Sequence, residues 1–295
     1  MVFALQGECG EMWGFSRFVD FHSLAASEGF LVAYPNALDK NWSDGRTETI
    51  PKYEYLAKVD DVKFLTNVID DIAATLPVDS RRVYATGASN GGFMSQYLAV
   101  KASDRIAAIG PVIAGLSEAV AASFSPALPV SVMAINGEAD PLVPYTGGEV
   151  HFFKVKRGRT IGIEEAAKKW ILFNACSTTP TVEQLPDLAP DDGCKAERRN
   201  WTGGKNNTGV TLIKIAGGGH TWPGGSQYLP AFAIGRTCRD FSATRLIWDF
   251  FKAHPPVTPR GHHTHFFASS NGAFQQAMMS PPDPARLNGN PSPPG

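Results

Sequence analysis

No apolar run in the sequence is long enough to cross a bilayer as a helix, which takes about 20 residues, so a membrane is not an expected partner. An excess of one charge is also missing. The 27 basic and 28 acidic residues leave a net charge of −1, and no basic field exists to draw in nucleic acid. The four cysteines, Cys9, Cys176, Cys194 and Cys238, have no C-x-x-C spacing, which argues against a zinc site or a thioredoxin-type motif. Cys176 and Cys194 flank a Pro- and Asp-rich stretch and can pair in an oxidising compartment; four separate thiols are the equal alternative. There is no internal repeat. The first residues, Met1 and then Val2-Phe3-Ala4-Leu5, lack the basic region and long apolar stretch of a secretory signal.

What is present suits one α/β domain. Hydrophobic residues make up 43% of the chain and charged residues 19%, enough to fill a core. Short apolar strands alternate with amphipathic helices, the pattern of a mostly parallel sheet covered on both faces. The strand candidates are 2–5, 30–34, 82–86, 107–112, 130–136 and 210–215, each bounded by Gly, Pro, Asn or Asp. The clearest helix spans 59–76, where Val62, Leu65, Val68, Ile69 and Ile72 recur at helical spacing and Pro77 stops it. Further helices are expected at 16–28, 90–102, 163–175 and 242–254. The segment 177–193 reads as a surface loop. From 255 to 295 periodicity gives way to Pro, Gly, Ser and Asn, so a catalytic domain over 1–254 and a poorly ordered tail are expected. The tail's His262, His263 and His265 read as part of that low-complexity stretch rather than as a metal site.

The strongest local motif is Gly87-Ala88-Ser89-Asn90-Gly91, between the strand ending at Thr86 and a helix containing Phe93, Met94, Tyr97 and Leu98. G-x-S-x-G in a strand–turn–helix setting is a nucleophile elbow: the tight turn lifts the serine hydroxyl above the sheet edge, and the Asn90 amide at the helix start faces a developing oxyanion. Such a serine needs a base and an acid that orients the base, and on this scaffold they follow in the order Ser, acid, His. His220 sits in Gly217-Gly218-Gly219-His220-Thr221-Trp222-Pro223-Gly224-Gly225, at the C-terminal end of a strand where catalysis collects in open α/β sheets. His151 reads as structural or surface, and His254 as closing the last helix against its dipole. The acid belongs in Gly137-Glu138-Ala139-Asp140-Pro141; Asp140 is the choice, with Glu138 as its rival, because Pro141 restrains the Asp140 backbone. Trp42 and Trp222 are candidate substrate-binding walls, and Phe93 a core residue.

At these segments the sequence resembles the polyhydroxybutyrate depolymerase and feruloyl esterase family of α/β-hydrolases. The resemblance runs over most of 1–255 and includes Glu28–Pro35, Asn41–Arg46, Val59–Val62, Gly87–Gly92, Gly137–Tyr145, Pro190–Gly193, Gly217–Gly225 and Ile247–Phe251. It implies a secreted serine esterase, needing no cofactor or metal, that cleaves polyhydroxyalkanoate-type esters through an acyl-enzyme. A feruloyl or acetylxylan esterase and a catalytically impaired binding protein are the alternatives. It also carries the triad roles onto Ser89, Asp140 and His220. Two departures stand out. The family's first, antiparallel strands are missing, which makes the chain look N-terminally truncated and leaves a sheet edge that could pair with a second copy as a homodimer. Leu5-Gln6-Gly7-Glu8-Cys9-Gly10 stands where the family has His-Gly and small residues. Glu8 is then the expected second oxyanion amide, with its side chain pointing away.

Overall fold

The computed structural model of the protein describes residues 1–8, 10–46 and 51–254. The chain divides into two units, Met1–Pro259 and Arg260–Gly295. The expected tail, 255–295, with its three histidines, lies outside the described residues.

The described elements are β1 (Val2–Leu5), α1 (Met12–Val19), α2 (Phe21–Glu28), β2 (Val32–Ala33), α3 (Asp61–Thr75), β3 (Tyr84–Ala88), α4 (Asn90–Lys101), β4 (Ala108–Val112), α5 (Glu118–Ala122), β5 (Ser131–Gly137), β6 (Gly148–Phe152), β7 (Val155–Thr160), α6 (Ile163–Asn174), β8 (Thr181–Gln184), β9 (Lys195–Trp201), β10 (Val210–Ala216), α7 (Ala231–Ile234) and α8 (Ala243–Ala253). Local chemistry explains the helix ends. The Asp60 side chain accepts from Lys63 N at 2.8 Å and starts α3. The Ser242 side chain caps α8 by accepting from Arg245 N.

One eight-stranded sheet runs in the order β2-β1-β3-β4-β5-β10-β9-β8, and a separate hairpin joins β6 to β7. The six strands from β2 to β10 are parallel, whereas β9 and β8 are antiparallel. Side chains alternate between two cores, as the pleat requires. Phe3, Leu5, Ala85, Ile109 and Val132 pack on the face covered by α3, α4 and α6. Val2, Ala4, Tyr84, Val112, Met133 and Ile135 pack on the face covered by α1, α2 and α8. The strands read as apolar runs because both of their faces are buried.

The mostly parallel, helix-flanked sheet agrees with the sequence reading, and the differences from it are local. The helix expected at 16–28 is two helices, broken where Asp20 adopts a left-handed conformation (φ 50°). The strand expected at 30–34 is the two-residue β2, which forms one sheet edge; so short an edge offers little to pair with. The surface loop expected at 177–193 contains β8, the other edge. Neither β8 nor β9 is an apolar run. All four residues of β8 are exposed, and the two strands are joined partly through the Arg198–Glu183 ion pair. The possible Cys176–Cys194 bond is not formed. Cys176 packs in the core on one side of the sheet, and Cys194 in the core on the other.

Trp170 anchors α6: it is fully buried, donates Nε1–H to Gln96 Oε1 (2.8 Å) and meets Phe124 edge-on at 4.8 Å. Trp170→Ala should cost about 3–5 kcal/mol by leaving a cavity and an unpaired Gln96. A urea midpoint that falls by the matching amount at constant slope checks this.

Candidate active site

The parallel strands finish level with one another. Ala88 pairs with Val112, Val112 with Ile135, and Ile215 with Gly137. Ser89, the 138–140 turn and the 217–220 loop therefore leave the same edge of the sheet, from β3, β5 and β10.

Ser89 connects β3 to α4 with φ 53° and ψ −119°, a strained conformation for a residue with a side chain. Its N–H donates to Val112 O (3.0 Å), and its own carbonyl starts α4 by accepting from Phe93 N. The turn closes because its glycines are pressed against backbone. A Cβ on Gly91 would lie 2.1 Å from Leu5 O, and one on Gly87 2.6 Å from the same oxygen. As the first residue of α4, Asn90 carries an amide with no intrahelical partner, available to an oxyanion. Its buried side chain holds a neighbouring segment instead: Oδ1 accepts from Trp42 N (2.7 Å), and Nδ2 donates to Trp42 O (3.1 Å) and Asp44 Oδ2 (2.6 Å).

His220 Nδ1 lies 2.7 Å from Asp140 Oδ2, with both side chains buried. A carboxylate only accepts, so the proton of this bond belongs to Nδ1, and Nε2 is the ring nitrogen turned away from Asp140. The other Asp140 oxygen accepts from Leu142 N (2.8 Å) and Val143 N (2.9 Å), which fixes the carboxylate. Glu138, the rival acid, is ion-paired to Lys214 at 2.8 Å and is more than a third exposed. The His220 backbone is held by Ile234 O (2.5 Å) and by Tyr228 Oη, which donates to His220 O (2.9 Å). Burial, and then the Asp140 charge, push the Tyr228 phenol up, so it remains a donor. Among the described residues no hydrogen bond joins Ser89 Oγ to His220; catalytic contacts of this kind often close only when substrate is bound.

Glu8 follows β1 in a turn facing the elbow, and its carboxylate is ion-paired with Arg157 of β7. Burial raises the Glu8 carboxyl, and Arg157 opposes that shift. A second pair lies close by: Arg46 holds Asp44 through Nε (3.1 Å to Oδ1, 3.0 Å to Oδ2) and Nη2 (2.6 Å to Oδ2), and stacks 3.8 Å above the buried Phe93 ring.

The two tryptophans expected as substrate walls are both buried in the fold. Trp42 is fully buried, its Nε1–H donating to Gln6 O (3.1 Å). Trp222 is 1% exposed, donates to Thr244 Oγ1 (3.1 Å) and packs edge-on against Phe15 and Phe21. Nearness to motif residues in sequence does not say which way a ring turns, and both rings turn largely into packed surroundings. Of the remaining histidines, His151 lies 3.5 Å from Glu149 at the surface, and His254 Nδ1 contacts Phe250 O (2.8 Å) at the end of α8. Arg157 and Tyr228 were missed; each stands in a stretch with no motif of its own. Among the described residues the cluster able to share a metal ion is Asp192, Cys194 and Cys238, none of them in the triad.

No protein-family model matches the chain. It is 30% identical over 257 residues to "Putative esterase NocK" of Nocardia uniformis subsp. tsuyamanensis, covering 85% of this chain and 73% of that protein. It is 31% identical over 202 residues to feruloyl esterase B of Piromyces equi, covering 66% of this chain but only 34% of that longer relative. Among solved structures, acetyl xylan esterase from Aspergillus awamori aligns with a TM-score of 0.49 at 14% identity, over 75% of this chain and 83% of that one. With a relative this similar along most of its length, the chain belongs to the feruloyl esterase-like family of α/β-hydrolases.

Proposed function

We propose that the chain hydrolyses carboxylic esters through an acyl-enzyme on Ser89, with His220 as base and Asp140 as its orienting acid. The observation that carries this reading is the buried 2.7 Å His220–Asp140 hydrogen bond, at the sheet edge from which the strained Ser89 elbow also departs. His220 Nε2 accepts the Ser89 proton as Oγ attacks the ester carbonyl. The amides of Glu8 and Asn90 stabilise the oxyanion. His220 then protonates the leaving alcohol and next activates a water, which releases the acid and restores Ser89. Asp140 holds the tautomer and stabilises the imidazolium. Each step uses groups of the chain itself and water.

For the substrate, we favour hydroxycinnamoyl or acetyl esters of plant cell-wall polymers, the chemistry in the names of the feruloyl and acetylxylan esterase relatives. The setting we propose is extracellular, where such polymers lie. Rates on methyl ferulate, acetylated xylan and hydroxybutyrate oligomers test the choice. The oligomers turning over fastest would move the assignment to polyester cleavage.

Ser89→Ala should reduce p-nitrophenyl butyrate hydrolysis by at least about 10³-fold, and Asp140→Asn by about 10³–10⁴-fold with little change in KM. Equal, near-blank rates for the wild type and Ser89→Ala would replace the enzyme with a binding protein of the same fold.

Arg157 should matter through Glu8. Without Arg157, the Glu8 carboxylate would be an uncompensated, partly buried negative charge on the residue whose amide is proposed to hold the oxyanion, a cost on the order of 1–4 kcal/mol. Arg157→Met should therefore lower kcat by about tenfold or more, and adding Glu8→Gln should restore most of it. Steady-state kinetics of the two single variants and the double variant measure the coupling.

A further inference from the structure

Cys194 and Cys238 lie together in the core, 2% and 1% exposed, on two segments that flank the His220 loop. Their Sγ atoms and a carboxylate oxygen of Asp192 all fall within 4.8 Å of one another. The hydrogen bond between the two thiols, followed by burial, pushes the Cys238 thiol up.

Two aspartates bring the cysteines together. Asp192 Oδ1 accepts from Cys194 N (2.7 Å), and its Oδ2 reaches across to accept from Arg239 N (2.7 Å). In the opposite direction Asp240 Oδ1 accepts from Leu188 N (2.9 Å) and Ala189 N (3.0 Å). Each carboxylate thus stitches its own segment to the other, and the cysteines sit between the stitches. The joined segments also carry the histidine loop. Gly219 N donates to Arg236 O (2.9 Å) and Gly224 N to Cys238 O (2.8 Å), while a Cβ on Gly217 would lie 2.3 Å from Gly193 O.

We propose that Cys194 and Cys238 form a disulfide that locks the β9 start to the segment bracing His220. The same donors could be read as a metal site, but electrostatics favours the covalent bond. A metal needs both sulfurs as thiolates. Asp192 supplies one carboxylate beside them, and Asp240 another, with Oδ2 3.6 Å from Cys238 Sγ. Four buried negative charges would face a single divalent ion, whereas a disulfide is uncharged. Three of the four carboxylate oxygens are, moreover, already taken by backbone N–H groups.

Because both sulfurs are buried in the finished fold, the bond forms while the chain folds, by exchange with a small-molecule disulfide such as oxidised glutathione. One cysteine thiolate attacks it, forming a mixed disulfide and releasing one thiol. The second cysteine thiolate attacks the protein sulfur of that adduct, closes the Cys194–Cys238 bond and releases the second thiol. Two electrons pass to the oxidant, and the two cysteine protons end on its two thiols.

The test is to refold the full chain in a glutathione redox buffer, denature it without reductant, alkylate it with iodoacetamide and measure its intact mass and peptides. Two alkylated residues, Cys9 and Cys176, and a cross-linked peptide joining Cys194 to Cys238 are expected. Cys194→Ser, Cys238→Ser and the double variant should share one Tm, about 5–12 °C below the oxidised wild type, and dithiothreitol should bring the wild type down to it. Four alkylated cysteines, a cross-link between any other pair, or one bound zinc per chain by elemental analysis would overturn the proposal. The mass measurement decides the matter even if the serine variants fail to fold, and it is independent of any esterase assay.

Discussion

The close approach of β1 to the elbow helix is the constraint on which the rest depends. A Cβ on Gly91 would stand 2.1 Å from Leu5 O and 2.6 Å from Gln6 O, so only hydrogen fits between the two backbones. This contact sets the turn carrying Glu8 against the Ser89 elbow. Trp42 then closes a third side, its indole on Gln6 O and its backbone on the Asn90 amide group. Three segments far apart in sequence are joined within a few residues of Ser89. Their combined packing is what maintains the serine's unfavourable backbone, a strain of roughly 1–3 kcal/mol that a loose turn would release.

The His220 side is built by the same means. A Cβ on Gly137 would meet Gly218 O at 2.1 Å, which presses the end of β5 against the loop after β10. The Asp140 carboxylate there uses both oxygens, one on two backbone amides and one on His220. Few of these bonds are strong alone, but each fills a buried acceptor that would otherwise carry a desolvation cost. Beyond the loop, Asp192 and Asp240 repeat the device, a short acid bridging two chain segments through their backbone N–H groups.

Much of the candidate site was legible because its signals are local. The elbow is five consecutive residues, the histidine is ringed by glycines, and the acid precedes a proline in the turn after a strand. These residue types are dictated by backbone geometry at each place, whatever packs around them. The charged pairs Glu8–Arg157 and Asp44–Arg46 were not legible in this way. A buried ion pair looks in sequence like two surface charges, whether its partners are two residues apart, as Asp44 and Arg46 are, or come from distant segments, as Glu8 and Arg157 do. Strand β8 was hidden for a related reason: an exposed edge strand has no apolar face to announce it.

The sequence by itself determined the class of scaffold and named the candidates: Ser89, His220, and Asp140 with Glu138 as its rival. Short-range backbone rules and hydrophobic periodicity operate within a few residues and are written there directly. The tertiary structure alone placed Asp140 rather than Glu138 against His220, turned Trp42 and Trp222 into the core, gave Glu8 an arginine and set Cys194 beside Cys238 rather than Cys176. Each of those outcomes depends on which side chains meet across the sheet. That is fixed only when both faces are packed and every buried polar group has found its partner.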